Sequence, residues 1–167
     1  GGHMTRTLVL LLLLLASPAQ AALVYIGSGL RASVGDTITV PVKATYLGRA
    51  RFNALRATVY YNPEALEYVG ATVAPQFRKL CTNPPFQDVR WGVDWVTVQA
   101  SLMQSGCDTG SPTEVFRIRF VALAPGITDL VIGDSPPDRR WGGITSLFDA
   151  GMYVPTKTRN AVLVVTP

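Results

Sequence analysis

From Ala22 to Pro167 no long run of apolar residues recurs at helical spacing, and this most constrains what the chain can fold into. Apolar residues come instead in short alternating or continuous runs, punctuated by Gly, Pro, Asn and Asp, the pattern of an all-β sandwich or barrel. The expected strands are Leu23–Gly27, Thr37–Tyr46, Asn53–Tyr61, Tyr68–Val73, Val89–Trp91, Val96–Met103, Val115–Leu123, Thr128–Gly133 and Ala161–Val165, and Ser146–Met152 adds a short piece. Nine strands in a chain of this length suit two packed sheets.

Alternation assigns faces. Leu55, Ala57, Val59 and Tyr61 share one side of their strand, and Ala54, Arg56, Thr58 and Tyr60 share the other. Val96, Val98, Ala100 and Leu102 oppose Trp95, Thr97, Gln99 and Ser101, and Phe116, Ile118 and Phe120 oppose Val115, Arg117, Arg119 and Val121. One apolar face per strand means one buried side per sheet. Pro41, outward beside Thr39, marks a sheet edge or a bulge because it has no N–H for the ladder. Ser33 to Asp36 and Ala124-Pro125-Gly126 read as turns, and Asp134 to Gly143 as a long polar loop. Asn62-Pro63 should end a strand. Glu64 to Glu67 then make a single turn with Leu66 as buried anchor.

The ends and composition narrow the function. Gly1 to Met4 look vector-derived. Residues 5–21 have the three parts of a secretory signal peptide: basic Arg6, aliphatic Leu8 to Leu15, and a small-x-small site at Ala19 and Ala21. The aliphatic run is too short for a bilayer span, which needs about 20 residues. The expectation is a single exported domain over 22–167, periplasmic, cell-surface or extracellular. The net charge of +4 is mild and forms no block of like charges, which argues against a nucleic-acid partner. The one histidine, His3, lies in the vector-derived stretch, so Ser-His-Asp and Cys-His catalysis and His-based zinc sites are excluded. Cys81 and Cys107 read as a disulfide in an exported protein, closing a loop worth roughly 3 kcal/mol. A redox or metal pair is the alternative, but there is no Cys-x-x-Cys and no nearby His.

Four segments carry a resemblance: "SVGDTITVPVKA", "YNPEALEYV", "VFRIRFVALAPGITDLVI" and "SLFDAGMYV". In this order and spacing they resemble a cohesin domain, the receptor module of bacterial cellulosomes and related surface assemblies. The resemblance covers nearly all of 22–167. It implies a nine-stranded jelly-roll sandwich of two antiparallel sheets, a non-catalytic role, no cofactor, and a protein partner of the dockerin type, a small calcium-loaded helical module. It also implies that the partner meets a sheet built from the family's third, fifth, sixth and eighth strands. Carried to this chain, the outward residues are Arg56, Thr58 and Tyr60, then Thr97, Gln99 and Ser101, then Arg117 and Arg119. Dockerin-binding cohesins carry an Asn-x-Asp pair in the third strand, where this chain has Ala54 and Arg56. Three arginines on one face beside Tyr60 would suit an acidic partner.

Two other readings compete. Trp95 and Trp141, if exposed and coplanar, would form a sugar-stacking platform of a carbohydrate-binding module, with Trp91 plugging the core. A wholly structural envelope domain is the third reading. Glu64 and Glu67 are close enough in sequence to suggest a carboxylate pair, but on one solvent-facing turn they do not argue for an enzyme. Asp108, Asp134, Asp138 and Asp149 do not form a calcium loop, and no metal site is expected.

Overall fold

A computed structural model describes residues 22–46, 52–104, 107–109, 111–133, 145–149, 152–154 and 156–167. The proposed leader, the polar loop after Gly133 and Trp141 lie outside the described residues, as do Asp134 and Asp138.

The strands are β1 (Ala22–Ile26), β2 (Leu30–Ser33), β3 (Thr37–Tyr46), β4 (Ala54–Tyr60), β5 (Leu66–Val73), β6 (Phe86–Trp91), β7 (Trp95–Ser101), β8 (Thr113–Ala122), β9 (Gly126–Gly133), β10 (Ser146–Asp149), β11 (Met152–Val154), β12 (Thr156–Arg159) and β13 (Ala161–Thr166). One helical turn, α1 (Pro75–Arg78), follows β5. The all-β sandwich is as expected, with more strands than the nine anticipated; β2, β11 and β12 are short additions. One sheet runs β12-β1-β3-β8-β5. The other runs β11-β10-β4-β9-β13-β2, with β7 on the far side of β4 and β6 beyond it. The ladders are antiparallel except β1 with β12 and β13 with β2, which are parallel and depart from the purely antiparallel expectation.

The core lies between the sheets and follows the alternation except at Val115, expected outward but fully buried where the β3-β8 register shifts. Leu55, Ala57, Val59, Val96, Val98 and Ala100 from one sheet meet Val24, Val40, Val42, Phe116, Ile118 and Phe120 from the other. Tyr61 packs on Phe120 at 4.9 Å between ring centroids. At one end the fully buried Phe77 of α1 stacks on Phe52 at 6.2 Å. The Cys81–Cys107 disulfide is formed, with Cα atoms 5.5 Å apart, and fastens the segment after α1 to the one after β7.

The break after Tyr61 is a change of sheet. The N–H groups of Ala65 and Leu66 both donate to the Asn62 carbonyl, and the Asn62 side chain accepts from the Glu64 N–H at 3.0 Å. β4 belongs to one sheet and β5 to the other, so this turn is the corner between layers, and buried Leu66 anchors it. Pro41 sits in β3, an interior strand, next to a register shift between Val42 and Lys43. The β1 pairing stops at Val42, so Pro41 has a ladder partner, Arg117, on its β8 side alone.

The rim between β5 and β6 is closed by side chains. The Val73 N–H donates to Gln87 Oε1 at 3.1 Å, and Gln87 Nε2 donates to the Ala71 carbonyl at 3.3 Å. Those backbone groups lie on the side of β5 that no strand among the described residues covers. An open strand edge invites pairing with another chain, and Gln87 occupies it.

Candidate partner-binding face

The outer face of the β6-β7-β4-β9 sheet gathers most of the residues expected at the site. Register places Arg56 opposite Gln99, Thr58 opposite Thr97, and Tyr60 opposite Trp95 on β7 and Val131 on β9. Paired residues of antiparallel strands share a face, so these side chains are neighbours. They are not equally available. Nε and Nη2 of Arg56 both donate to Gln99 Oε1, at 3.1 and 2.9 Å. Thr58 is fully buried although it points outward, and its hydroxyl shares a 2.7 Å hydrogen bond with Thr97. Its N–H donates to Thr145 Oγ1, which itself donates to the Gly133 carbonyl. Thr58 therefore braces the sheet instead of offering itself to a partner.

Arg117 and Arg119 do not join this face. They lie on β8, which pairs with β3 and β5 in the other sheet, and both are exposed on the opposite side of the sandwich. β4 is flanked instead by β7 on one side and by β9 and β10 on the other. Alternation had assigned Arg117 and Arg119 correctly as outward. It carries no information on which sheet a strand joins, because that depends on the crossovers. The convergence of three arginines is thus corrected, and the acidic-partner reading loses its basis on this face.

The tryptophans exchange the roles expected of them. Trp95 is 6% exposed and Trp91 60% exposed. Trp95 faces outward, but a Cβ built on Gly92 would lie 2.3 Å from its Nε1, so its ring rests on the bare glycine backbone. Trp91 faces the inner side beside Val96, yet β6 is the last strand and the ring projects past the core to Tyr68, 5.7 Å away. Buried Trp95 cannot stack on a sugar, and Trp141 lies outside the described residues.

Sequence reasoning missed the part of the face lying toward β13. Ile127, Val131 and Val162 are 76%, 38% and 46% exposed. Asp129 stands opposite Val162 in the ladder and between Ile127 and Val131 along β9. An open groove runs here, lined by Tyr60, Asp94, Ile127, Asp129 and Val131. Neither carboxylate has an ion-pair partner among the described residues. Burial, and then the nearby Asp94 carboxylate, push the Tyr61 hydroxyl above its usual range. The alternation of Ile127, Asp129 and Val131 was the available signal, since apolar residues on the outward parity of a strand mark an exposed patch. Among the described residues no group of three His, Cys, Asp or Glu side chains could hold a metal ion, and no helix is long and apolar enough to cross a membrane.

This architecture is the cohesin fold. A non-cellulosomal cohesin from the archaeon Archaeoglobus fulgidus superposes with a TM-score of 0.66 at 17% identity, over 88% of this chain and 92% of that one. The sixth cohesin of scaffoldin B from Acetivibrio cellulolyticus, solved in complex with a Cel5 dockerin mutant, gives 0.68 at 14% identity, over 87% and 99%. The seventh ScaB type I cohesin from Pseudobacteroides cellulosolvens gives 0.64 at 16%, over 87% and 92%. No protein-family model matches the sequence, and no curated protein matches it.

Proposed function

We propose that this chain is an exported, non-catalytic module that captures a protein partner on the outer face of the β4-β7-β9 sheet. The observation that carries the reading is the groove beside Tyr60, where exposed Ile127 and Val131 adjoin the carboxylates of Asp94 and Asp129. An aromatic and aliphatic centre with a charged rim is the usual anatomy of a protein interface. The fold shared with cohesins solved in dockerin complexes supports a protein as the ligand, and the disulfide is compatible with export. The partner implied by the chemistry presents an apolar side chain flanked by Lys or Arg. A dockerin is a candidate of that general kind, but one seeking acceptors at positions 54 and 56 would meet Ala54 and a guanidinium already bonded to Gln99.

The test is capture of a partner by wild-type protein and by Tyr60→Ala and Val131→Asp variants, with a dockerin panel assayed in parallel. A central anchor costs at least about 2 kcal/mol when truncated, roughly a thirtyfold loss. Retention of the same partner at the same affinity by both folded variants would place the interface elsewhere. A carbohydrate reading now rests on the exposed Trp91 beside Tyr68, and a neutral glycan that quenches Trp91 emission would favour it.

A further inference from the structure

The opposite sheet has a different electrostatic character. Its outer face carries Lys43, Arg117, Arg119, Lys157 and Arg159 among the described residues, all on the outward parity of β3, β8 and β12. Among the described residues the acids on this face are Glu114, which is ion-paired with Arg117, and Glu67 at the start of β5. On the partner-binding sheet, by contrast, Arg90 is paired with Asp88, and Arg56 is bonded to Gln99.

The registers arrange the cations in a line. Arg159 lies opposite Tyr25, which lies opposite Lys43, and Lys157 lies opposite Leu23. On β8, Arg117 is opposite Pro41 and Arg119 opposite Thr39, one and two steps of the pleat beyond the row of Lys43. With about 4.8 Å between strands and about 3.4 Å per residue, Lys157, Arg159, Lys43, Arg117 and Arg119 form a diagonal band roughly 25 Å long. Each stands within about 4 Å of its axis on the same spacings. Two of the arginines lie against neighbouring residues. The Arg159 guanidinium lies over the Tyr25 ring at 4.7 Å. Arg119 extends over Gly70, where a Cβ would lie 3.4 Å from its Nη2. Exposed Thr39 and Thr72 stand opposite Arg119 and Arg117 and offer hydroxyls beside the cations.

We infer that this band is a binding track for a linear carboxylated polysaccharide. Charge complementarity requires a polyanion, and guanidinium groups bind carboxylates with two parallel hydrogen bonds. A narrow band fits an extended polymer better than a bilayer. None of the exposed large apolar side chains of the described residues lies on β1, β3, β8 or β12 to enter a membrane. Single-stranded nucleic acid needs aromatic faces for its bases, and the one ring on the track with a described environment, Tyr25, has a face covered by Arg159. The track is on the far side of the core from Tyr60, so it is independent of the proposed protein interface.

The probe is polygalacturonate, titrated at low and moderate salt against wild-type protein and two charge-altered variants. The first is Lys43→Glu with Arg159→Gln; the second, at the two ends of the band, is Lys157→Glu with Arg119→Gln. Neutral dextran, single-stranded DNA and phosphatidylglycerol vesicles serve as comparisons. The expected result is salt-sensitive binding of polygalacturonate that drops at least tenfold in each folded variant, is unchanged in Tyr60→Ala, and is absent for dextran. The inference is overturned if both variants bind like wild type, if dextran binds equally, or if DNA or vesicles bind more tightly through the same residues. Should one variant fail to fold, the other decides.

Discussion

Gln87 gives the sharpest test of how the two sheets are joined at their rim. Its side chain accepts from the Val73 N–H and donates to the Ala71 carbonyl, so one residue of β6 serves two backbone groups of β5. A Gln87→Leu change keeps the bulk and removes both bonds. Each hydrogen bond contributes about 0.5–1.5 kcal/mol net. Gln87 is exposed and water can replace part of the loss, so the expected destabilisation is about 1–2 kcal/mol. For a domain of this size that corresponds to a melting shift of about 2–8 °C. Urea denaturation reads the free energy, and amide exchange locates it. The Val73 amide should lose protection selectively, while amides of β8 change only by the global amount. Gln87→Glu separates the two bonds: its carboxylate still accepts from Val73 but has no proton for Ala71, so Val73 protection should survive. If Val73 exchanges equally slowly in wild type and Gln87→Leu, the side-chain stitch does not close this edge.

Two further predictions concern the aromatic residues. Burial raises the hydroxyl pKa of Tyr68, with Tyr61 adding to the rise and Arg119 opposing it, and burial followed by Asp94 raises that of Tyr61. The folded state thus keeps protons that the unfolded chain releases near pH 10. The stability tied to these groups is fully present below about pH 10 and is lost as pH rises through the higher folded values. Urea midpoints between pH 8 and 12 should show this loss, and it should shrink in a Tyr61→Phe, Tyr68→Phe variant; an equal alkaline loss in that variant would refute the assignment. Gly92→Ala places a Cβ 2.3 Å from Trp95 Nε1 and should cost about 1–3 kcal/mol through overpacking. It should also red-shift the tryptophan emission as the ring is displaced, and an unchanged spectrum and stability would show that the contact is easily relieved.

Residue parity carried the sequence reading far. It separated Leu55, Ala57 and Val59 from Arg56 and Tyr60, and it gave Trp95 its outward direction. Direction alone does not set burial: on β4, with strands on both sides, outward Thr58 is fully buried. At the last strand an inward Trp91 overshoots the core, and beside a glycine an outward Trp95 finds cover. The same limit explains Arg117 and Arg119. Each strand's two faces are written in its own residues, but sheet membership depends on which crossovers the whole chain can close. The corner at Asn62-Pro63 was legible because proline and an Asx hydrogen bond act locally. The Ile127–Val131 surface was legible in principle, since two apolar residues on the outward parity of a strand have no partner in a sandwich core.

The two parallel pairings have a consequence for biogenesis. β1 is completed on its outer side by β12, and β2 pairs with β13, so residues 22–33 depend on residues 156–166 in both sheets. A chain emerging from its N-terminus can form the β6-β7 hairpin and the β4-β7 ladder early, because those partners are near in sequence. It cannot finish either layer until its last strands are available. Contacts of such long sequence separation make folding slow, and until they form, unpaired strands are exposed to neighbouring chains. Protection from premature association is therefore needed most while β12 and β13 are still being made.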